Sequence, residues 1–375
     1  MLINMDNAIK VRESAEFKGY ASDPIALYKK AQDAKLSVSA YLESLDPTPT
    51  DPETGLRACP LDAFERQLAA AGIVLTGANQ IKVSELAASD NVYLMPELVL
   101  REIQAGMAMS PRYDSRDCIA MSVPTKAATY HPLYIPDLNL DAGEPRNTKS
   151  LGRRAAKGKG GAFPVSSIYT REKDIVVQDY GRSIEASYSV IRDYPWEEFA
   201  YFLRLIGAQI SVDELMDIYD LGINGDGTVG SATDTFGGVA GTLAFSDLIA
   251  NVTSYNAPFH MDRILAPQGA VEDILSMSQF SDPLAFQGKV FQATGEFVDP
   301  MGAKIKQVDA TPGATPTATV IVTLSSKHAV REVVSQPLSI EADKIINRKM
   351  EQCVVSIEKA YSIICDGALK RIVYT

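Results

Sequence analysis

The chain has 375 residues, of which 46% are hydrophobic and 22% are charged, as in an ordinary folded protein and unlike a disordered or membrane-embedded one. The formal net charge of -11 and the pI near 4.9 argue against a protein whose whole surface grips nucleic acid. No apolar run approaches the roughly 18 residues needed to span a bilayer, and the first residues lack the apolar core of a signal peptide. We therefore expect a cytoplasmic protein of two or three domains or subdomains.

Cysteines and histidines are too scattered along the chain to suggest a metal site. The four cysteines have no CxxC spacing, and they are Cys59, Cys118, Cys353 and Cys365. The three histidines are equally dispersed, at His131, His260 and His328. This pattern predicts reduced, mostly buried thiols and no zinc centre.

Residues 1–92 are predicted to form an N-terminal arm that carries short helices. A helical pattern opens at Pro24 and continues to Tyr41, and the three prolines between residues 46 and 55 then break it. A second helix is predicted over residues 61–71. Neither helix has an obvious partner inside the arm, so we expect both to dock on the rest of the chain or on another copy of it.

A projecting two-stranded flap is predicted at about residues 118–178. A helix over residues 95–107, ending at Gly106, precedes it, and strands are predicted over residues 118–123, 130–135 and 166–178. A long loop before the last strand is rich in glycine and contains six cations that face no acid between residues 145 and 164. These cations are Arg146, Lys149, Arg153, Arg154, Lys157 and Lys159. A loop of this length inside a compact domain usually has a function or is disordered, so we take the six cations as candidate contact residues.

One long helix is predicted over residues 195–222. Pro195 supplies a helical φ near its start, and Glu197 and Glu198 suit the positive end of the helix dipole. Apolar side chains recur at steps of three and four residues, which predicts a broad buried stripe. The helix is expected to end at Gly222 and the Asn-Gly pair after it, at a length of roughly 40 Å.

The C-terminal part predicts mixed helices and strands. Helices are expected over residues 242–252 and from Pro267 onward, and strands over residues 261–265 and 320–324. Residues 283–318 are weakly patterned and include a surface loop rich in Pro, Thr and Ala. Residues 339–373 combine a charged segment with an alternating run.

Two short motifs invite a ligand-binding interpretation, and both fail in detail. Five residues instead of four separate Gly152 from Gly158, and Gly160 stands where a phosphate loop needs Ser or Thr. The turn after the long helix resembles the start of a calcium loop, but Gly222 and Thr233 occupy positions that need carboxylates. We therefore predict a basic loop and a helix-terminating turn, no enzyme, and no catalytic, cofactor-binding or metal-ligating residue.

The order of these elements resembles that of tailed-bacteriophage major capsid proteins of the Hong Kong 97 type. The resemblance is carried by the flap return and long helix at residues 180–224, by the turn Gly225-Asp226-Gly227-Thr228 with the later Gly237-Gly238 pair, and by the helix, strand and Pro267 that follow. It covers roughly residues 95–375, and it implies an α+β fold. The implied divisions are an N-terminal arm at 1–92, a peripheral domain at 93–222 with its extended loop and spine helix, an axial domain at 223–338, and a C-terminal return at 339–375.

This resemblance implies a structural protein that self-assembles into an icosahedral shell of hexamers and pentamers. The implied partners are other copies of the chain in its own and neighbouring capsomers, a portal, scaffolding or decoration proteins, and packaged double-stranded DNA bound without sequence specificity. No membrane partner and no cofactor are implied. The implied location is the virion capsid, assembled in the host cytoplasm. Two alternatives stay open: an encapsulin-like nanocompartment shell, and a soluble phosphate-binding enzyme that uses the basic loop.

Overall fold

The structure is a computed structural model that describes most of the chain. The described residues are 24–34, 36–49, 61–75, 80–83, 95–109, 111–134, 168–171, 173–227, 233–237, 242–256, 258–281, 302–345 and 350–374. This part contains both helices and strands, largely in separate stretches of the chain, which confirms the predicted α+β class. None of its helices is both long and apolar enough to cross a membrane.

The helices and strands follow one another from an all-helical start to a strand-rich end. The helices are α1 (Pro24–Asp33), α2 (Val38–Leu45), α3 (Ala63–Ala71), α4 (Met95–Met109), α5 (Tyr188–Asp193), α6 (Trp196–Asn224), α7 (Phe245–Ser254), α8 (Gln268–Ser276) and α9 (Ser278–Ser281). The strands are β1 (Ile119–Pro124), β2 (Thr129–Tyr130), β3 (Leu133–Tyr134), β4 (Tyr169–Thr170), β5 (Ile175–Val176), β6 (Gln178–Ser187), β7 (Thr233–Gly237), β8 (Arg263–Pro267), β9 (Lys304–Val308), β10 (Val320–Leu324), β11 (Val330–Ile345), β12 (Met350–Ile363) and β13 (Leu369–Val373).

The strands form two larger sheets and two small ones. One sheet has the order β1-β11-β12-β6, with β1 parallel to β11. The second has the order β7-β13-β10-β8-β9, in which β10 is antiparallel to both of its neighbours. The remaining described strands pair two by two, β2 with β5 and β3 with β4, both antiparallel. The chain divides into two compact units, and α6, β6, β11 and β12 each contribute residues to both.

The first unit takes its described residues from Met1–Met109, Gly181–Ala208 and Leu338–Ile357. In it α1 packs on α2 and α2 packs on α3. The side chains of Leu42 in α2 and Phe64 in α3 are almost fully buried within the single chain. Arg66 of α3 forms an ion pair with Asp46 at 3.0 Å. The prediction that the arm's helices lack a partner inside the arm is therefore wrong, because apolar faces that are far apart in sequence meet in space.

Two helix boundaries in this unit differ from the prediction. The pattern from Pro24 to Tyr41 is divided into two helices, because the Ser37 side chain accepts a hydrogen bond from the Ala40 amide at 3.1 Å and starts α2. Gly106 does not end α4, which continues to Met109. Gly106 lies against the α6 backbone, and this contact, not a helix end, explains why residue 106 is a glycine.

The second unit takes its described residues from Ser110–Tyr180, Gln209–Pro337 and Glu358–Thr375. It is organised around the five-stranded sheet, which is covered on both faces. On one face Val322 and Leu324 pack with Ile218 and Tyr219 from the C-terminal half of α6. On the other face Ile321 packs in a second cluster formed by β8, β13, α7 and α8. Because side chains alternate across a strand, a strand covered on both faces is apolar throughout, and this accounts for the sequence VIVTL of β10.

The end of α6 follows the prediction closely. The helix runs to Asn224, and Gly225 and Gly227 have φ values of 76° and 79°, which favour glycine. The Asp226 carboxylate between them accepts a hydrogen bond from the Ile363 amide at 2.9 Å. This residue is thus part of a helix-terminating turn, as predicted.

Strand β9 was not predicted, since Lys304–Val308 (KIKQV) has an unusually polar sequence. Lys306 is nevertheless buried, and its Nζ donates to the Asp114 carbonyl at 2.6 Å and pairs with Asp117 at 3.1 Å. A lysine can occupy a position that the sequence pattern assigns to an apolar residue when its methylene groups are buried and its ammonium group pairs with an acid.

Candidate functional site

The six candidate contact residues lie outside the described residues. Arg146, Lys149, Arg153, Arg154, Lys157 and Lys159 all fall between positions 135 and 167, which the structure does not describe. The phosphate-loop candidate at residues 152–161 falls in the same segment. What the structure describes is the chain on either side of it, residues 129–134 as the first segment and residues 168–171 and 173–176 as the second, which together we call the ribbon.

The ribbon consists of two short strand pairs. Thr129 lies opposite Val176 in one pair, and Leu133 lies opposite Thr170 in the other. The His131 Nδ1 contacts the Asp174 carboxylate across the ribbon. The two segments that flank the long basic loop are therefore paired, as a two-stranded flap requires. Strand β1, in contrast, lies within the predicted extended loop by sequence but pairs with β11 in the four-stranded sheet.

The ribbon exposes large apolar side chains. The exposed fractions are 53% for Leu133, 66% for Ile168, 51% for Tyr169 and 61% for Val176. Ile175 is the exception, since it is buried. In the described part of the chain neither strand pair adjoins a third strand. A two-stranded ribbon with these properties is at best marginally stable when nothing covers it.

A cavity of 410 Å³ lies beside the ribbon within the second unit. The ribbon contributes Asp174 to its lining, α6 contributes Asp217 and Asp220, and the turn after α6 contributes Asp226. Neither a lysine nor an arginine is among the described residues that line it. The cavity was missed by sequence reasoning, although the spacing of Asp213, Asp217 and Asp220 already indicates one acidic face of the helix.

Most of these carboxylates already have a partner. Asp174 pairs with His131, Asp220 accepts a hydrogen bond from the Asn224 side chain at 2.6 Å, and Asp226 accepts one from the Ile363 amide. Asp217 differs, because burial raises its pKa to about 6, with the nearby charges of Asp213, Glu214 and Asp220 acting in the same direction against Lys359. Asp174, Asp220 and Asp226 mainly hold the turn and the ribbon in place. Asp217 differs, because its ionised form lowers the stability of the folded protein.

We expect Asp217→Asn to stabilise the protein at neutral pH. The raised pKa means that the folded state disfavours the ionised form, so ionised Asp217 destabilises the fold above pH 6. That cost declines as the pH falls from about 6 toward the ordinary value near 4, and it vanishes below both values. The variant should gain about 1–3 kcal/mol in free energy of unfolding at pH 7.5 and little at pH 4. Urea denaturation at both pH values measures this, with Asp33→Asn, an exposed carboxylate, as the control. An equal gain at both pH values would contradict the argument.

The described residues offer little for catalysis. Ser325 Oγ lies 3.3 Å from His328 Nδ1, but Ser325 is fully buried and the contact joins two residues of one turn. Burial raises the pKa of the Cys118 thiol to about 12 and that of the Cys353 and Cys365 thiols to about 11. Cys118 and Cys365 are buried, as the sequence predicts, and these thiols are unreactive. No group of three or more potential metal ligands comes together in the described residues.

Comparison with known proteins gives matches among solved structures alone. No family model matches the sequence, and no curated protein matches it. The chain is similar to the capsid of a native GTA particle, with 14% identity, a TM-score of 0.49, and coverage of 70% of this chain and 90% of that one. It is similar to a protein of Mycobacterium phage Che8, with 15% identity, a TM-score of 0.44, and coverage of 66% and 85%. It is also similar to an encapsulin complex from Synechococcus elongatus, with 12% identity, a TM-score of 0.44, and coverage of 71% and 88%. Capsids are thus among the solved structures that this chain is similar to.

Proposed function

We propose that this chain is a structural shell subunit, the major capsid protein of a tailed bacteriophage. It self-assembles into an icosahedral shell of hexamers and pentamers that encloses double-stranded DNA, and it has no enzymatic activity. The observation that carries the proposal is the ribbon with its exposed apolar side chains, because such a ribbon needs a surface that its own described surroundings do not supply.

The marginal stability of an uncovered ribbon argues for self-association. Three large apolar side chains on two strand pairs of two residues each are more than half exposed, and so is Ile168 directly before β4. A second copy of the chain that covers these side chains would remove their apolar area from water. It would also supply the packing surface that a two-stranded ribbon needs for stability. In a closed shell every copy both extends a ribbon and receives one, so that the same contact is repeated around each symmetry axis.

The basic segment beyond the ribbon supports the same arrangement. No acid stands among its six cations between residues 145 and 164, whereas the chain as a whole has a net charge of -11. We propose that Arg146, Lys149, Arg153, Arg154, Lys157 and Lys159 contact acidic surface on a neighbouring subunit. One exposed ion pair contributes only about 0–1 kcal/mol, but several pairs in every copy act together.

The long helix supports a role as a rigid scaffold. Helix α6 has 29 residues and is about 43 Å long at 1.5 Å per residue. Its N-terminal half belongs to the first unit and its C-terminal half to the second. We propose the division of the chain into an arm (1–92), a peripheral domain (93–222), an axial domain (223–338) and a C-terminal return (339–375).

The finer aspects of this proposal concern partners and location. We propose that the shell contains a portal, that scaffolding or decoration proteins act with it, and that it contacts the packaged DNA without sequence specificity. Its location is the virion capsid after assembly in the host cytoplasm. A nanocompartment that encloses enzymes would use the same subunit contacts, and the two are separated by whether purified particles hold DNA or protein.

Electron microscopy of the expressed chain tests the assembly proposal. We expect closed shells at low salt and fewer shells at high salt, because salt screens exposed charge pairs.

A variant in which Arg153, Arg154, Lys157 and Lys159 are all replaced by Ser should fold normally and lose most of its shells. The matched control replaces Lys29 and Lys30, two exposed lysines of α1, by Ser. A chain that stays monomeric under all conditions would refute self-assembly, and normal, salt-insensitive shells from the four-residue variant would refute the role of the basic segment alone.

A further inference from the structure

Arg331 reaches from strand β11 to the root of the ribbon. Its Nη1 donates to the Tyr130 hydroxyl at 3.2 Å, and its Nη2 donates to the Leu133 carbonyl at 3.4 Å. The guanidinium carbon lies 5.4 Å from the centre of the Tyr130 ring, within the range of a cation–π contact. One side chain thus contacts both strands, β2 and β3, of the ribbon's first segment.

The second segment of the ribbon is held in a similar way. Arg171, which follows β4, pairs with Asp366 at 3.4 Å. Its backbone amide donates to the Pro132 carbonyl at 2.9 Å, which joins the two segments at this level. Two arginines therefore connect the ribbon to β11 and to the turn before β13, all within the second unit.

The two arginines differ in their electrostatic surroundings. Arg331 is only 4% exposed, and no described carboxylate forms an ion pair with it. Its Nε is buried without a hydrogen-bond partner. A buried guanidinium whose Nε has no acceptor is unfavourable, and an unbranched apolar side chain of similar length would avoid this cost. Among the described residues, the contacts of Arg331 are with the ribbon, and their geometry is what an arginine at this position provides.

We propose that Arg331 is a positioning residue that sets the direction in which the ribbon leaves the four-stranded sheet. Its planar guanidinium makes two directed contacts and one ring contact, so it restricts rotation of the ribbon about its root, which a single flexible contact cannot do. The consequence for assembly rests on the proposed function, since a neighbouring copy can be reached only by a ribbon held in the correct direction. The positioning itself does not depend on that function.

The test is Arg331→Met, studied first in the unassembled chain by hydrogen exchange. We expect the amides of residues 129–134 and 168–171 to exchange at least tenfold faster, while amides of β10 and α8 exchange at the rate of the unchanged chain. The midpoint of urea unfolding should stay the same or rise. Arg263→Met is the matched control, because Arg263 also has a buried Nε without a partner, but its Nη1 donates to the Asp262 carbonyl instead of to the ribbon. This variant should leave the ribbon's exchange unchanged. Tyr130→Phe, which removes the hydroxyl and keeps the ring, should give a smaller increase than Arg331→Met.

The outcomes separate this inference from the assembly proposal. Unchanged ribbon exchange in Arg331→Met would overturn it, and so would faster exchange throughout the protein together with a lower unfolding midpoint, because that result indicates an ordinary structural role. Where the unchanged chain forms shells, Arg331→Met should form at least tenfold fewer. If the unchanged chain forms none while ribbon exchange in the variant rises as expected, the proposed function fails and the positioning role stands.

Discussion

Gly106→Ala should prevent stable packing of α4 on α6. A Cβ atom on Gly106 would lie 2.1 Å from the carbonyl oxygen of Arg204, and one on Gly207 would lie 2.1 Å from the carbonyl oxygen of Ile103. The two contacts are reciprocal, since Ile103 and Gly106 are three residues apart in α4, as Arg204 and Gly207 are in α6. The helices therefore cross with backbone against backbone, and no side-chain rotation can make room for even one methyl group.

The expected effect is large because both obstacles are backbone atoms. Inserting extra carbons into a packed core usually costs about 1–3 kcal/mol, and here the helices themselves must separate, so we expect a loss of at least about 3 kcal/mol in free energy of unfolding. Arg204 also donates to Glu102 at 2.6 Å across the same crossing, and that bond should weaken as the helices move apart. Gly207→Ala should behave in the same way.

Thermal and urea unfolding of the variants measure this effect. The control is Gly269→Ala, since Gly269 is also helical but no atom lies within 4 Å of its Cβ position. That control should be neutral or stabilising by up to about 1 kcal/mol, because alanine is the better helix former. Gly222→Ala should fall between the two, because its Cβ would meet the Val322 side chain and not a backbone atom. A Gly106→Ala protein as stable as the unchanged chain would show that the helices do not cross this closely.

Lys359→Ala should be the second strongly destabilising change. Lys359 is only 1% exposed and forms an ion pair with Glu214 of α6. Its Nζ also donates to the Tyr361 hydroxyl at 2.8 Å, and Ser115 donates to the other Glu214 oxygen at 2.7 Å. Burial and the nearby Glu214 charge raise the pKa of Tyr361 well above its usual range, so its hydroxyl stays protonated. Removing the lysine leaves a buried carboxylate that has lost its cation.

We expect this single substitution to cost about 3–5 kcal/mol, because the remaining buried charge has no compensation. Glu214→Ala should cost a similar amount for the same reason. The double variant Lys359→Met with Glu214→Leu is the control, since it replaces both charges by apolar groups and should recover most of the loss. Urea denaturation of the unchanged chain, the single variants Lys359→Met and Glu214→Leu, and the double variant completes a double-mutant cycle, and additive losses in the double variant would show that the two residues do not act as a pair.

Much of the local structure was determined by the sequence itself. Strand β10 occupies the predicted residues, helix α8 starts after Pro267 as predicted, and the long helix α6 ends at the predicted Asn-Gly pair. These elements depend on information within a few residues of one another, such as β-branched runs, a proline at a helix start and a glycine with positive φ at a helix end. The α+β class followed from them.

Only the tertiary structure decided which distant residues meet. Local rules predicted a helix end at Gly106. The structure shows instead that the α6 backbone at Arg204, 98 residues later, leaves no room for a side chain at this position. The pair of Lys359 and Glu214, the contact of Arg331 with the ribbon, and the acids around Asp217 likewise join segments that are far apart in the chain. Local propensity cannot predict such contacts, because they form when packing brings separate elements together and the energy of a buried charge depends on what surrounds it. Chain patterns therefore determined most of the elements and their order. Packing decided which polar residues are buried, which contact the ribbon and which line the cavity.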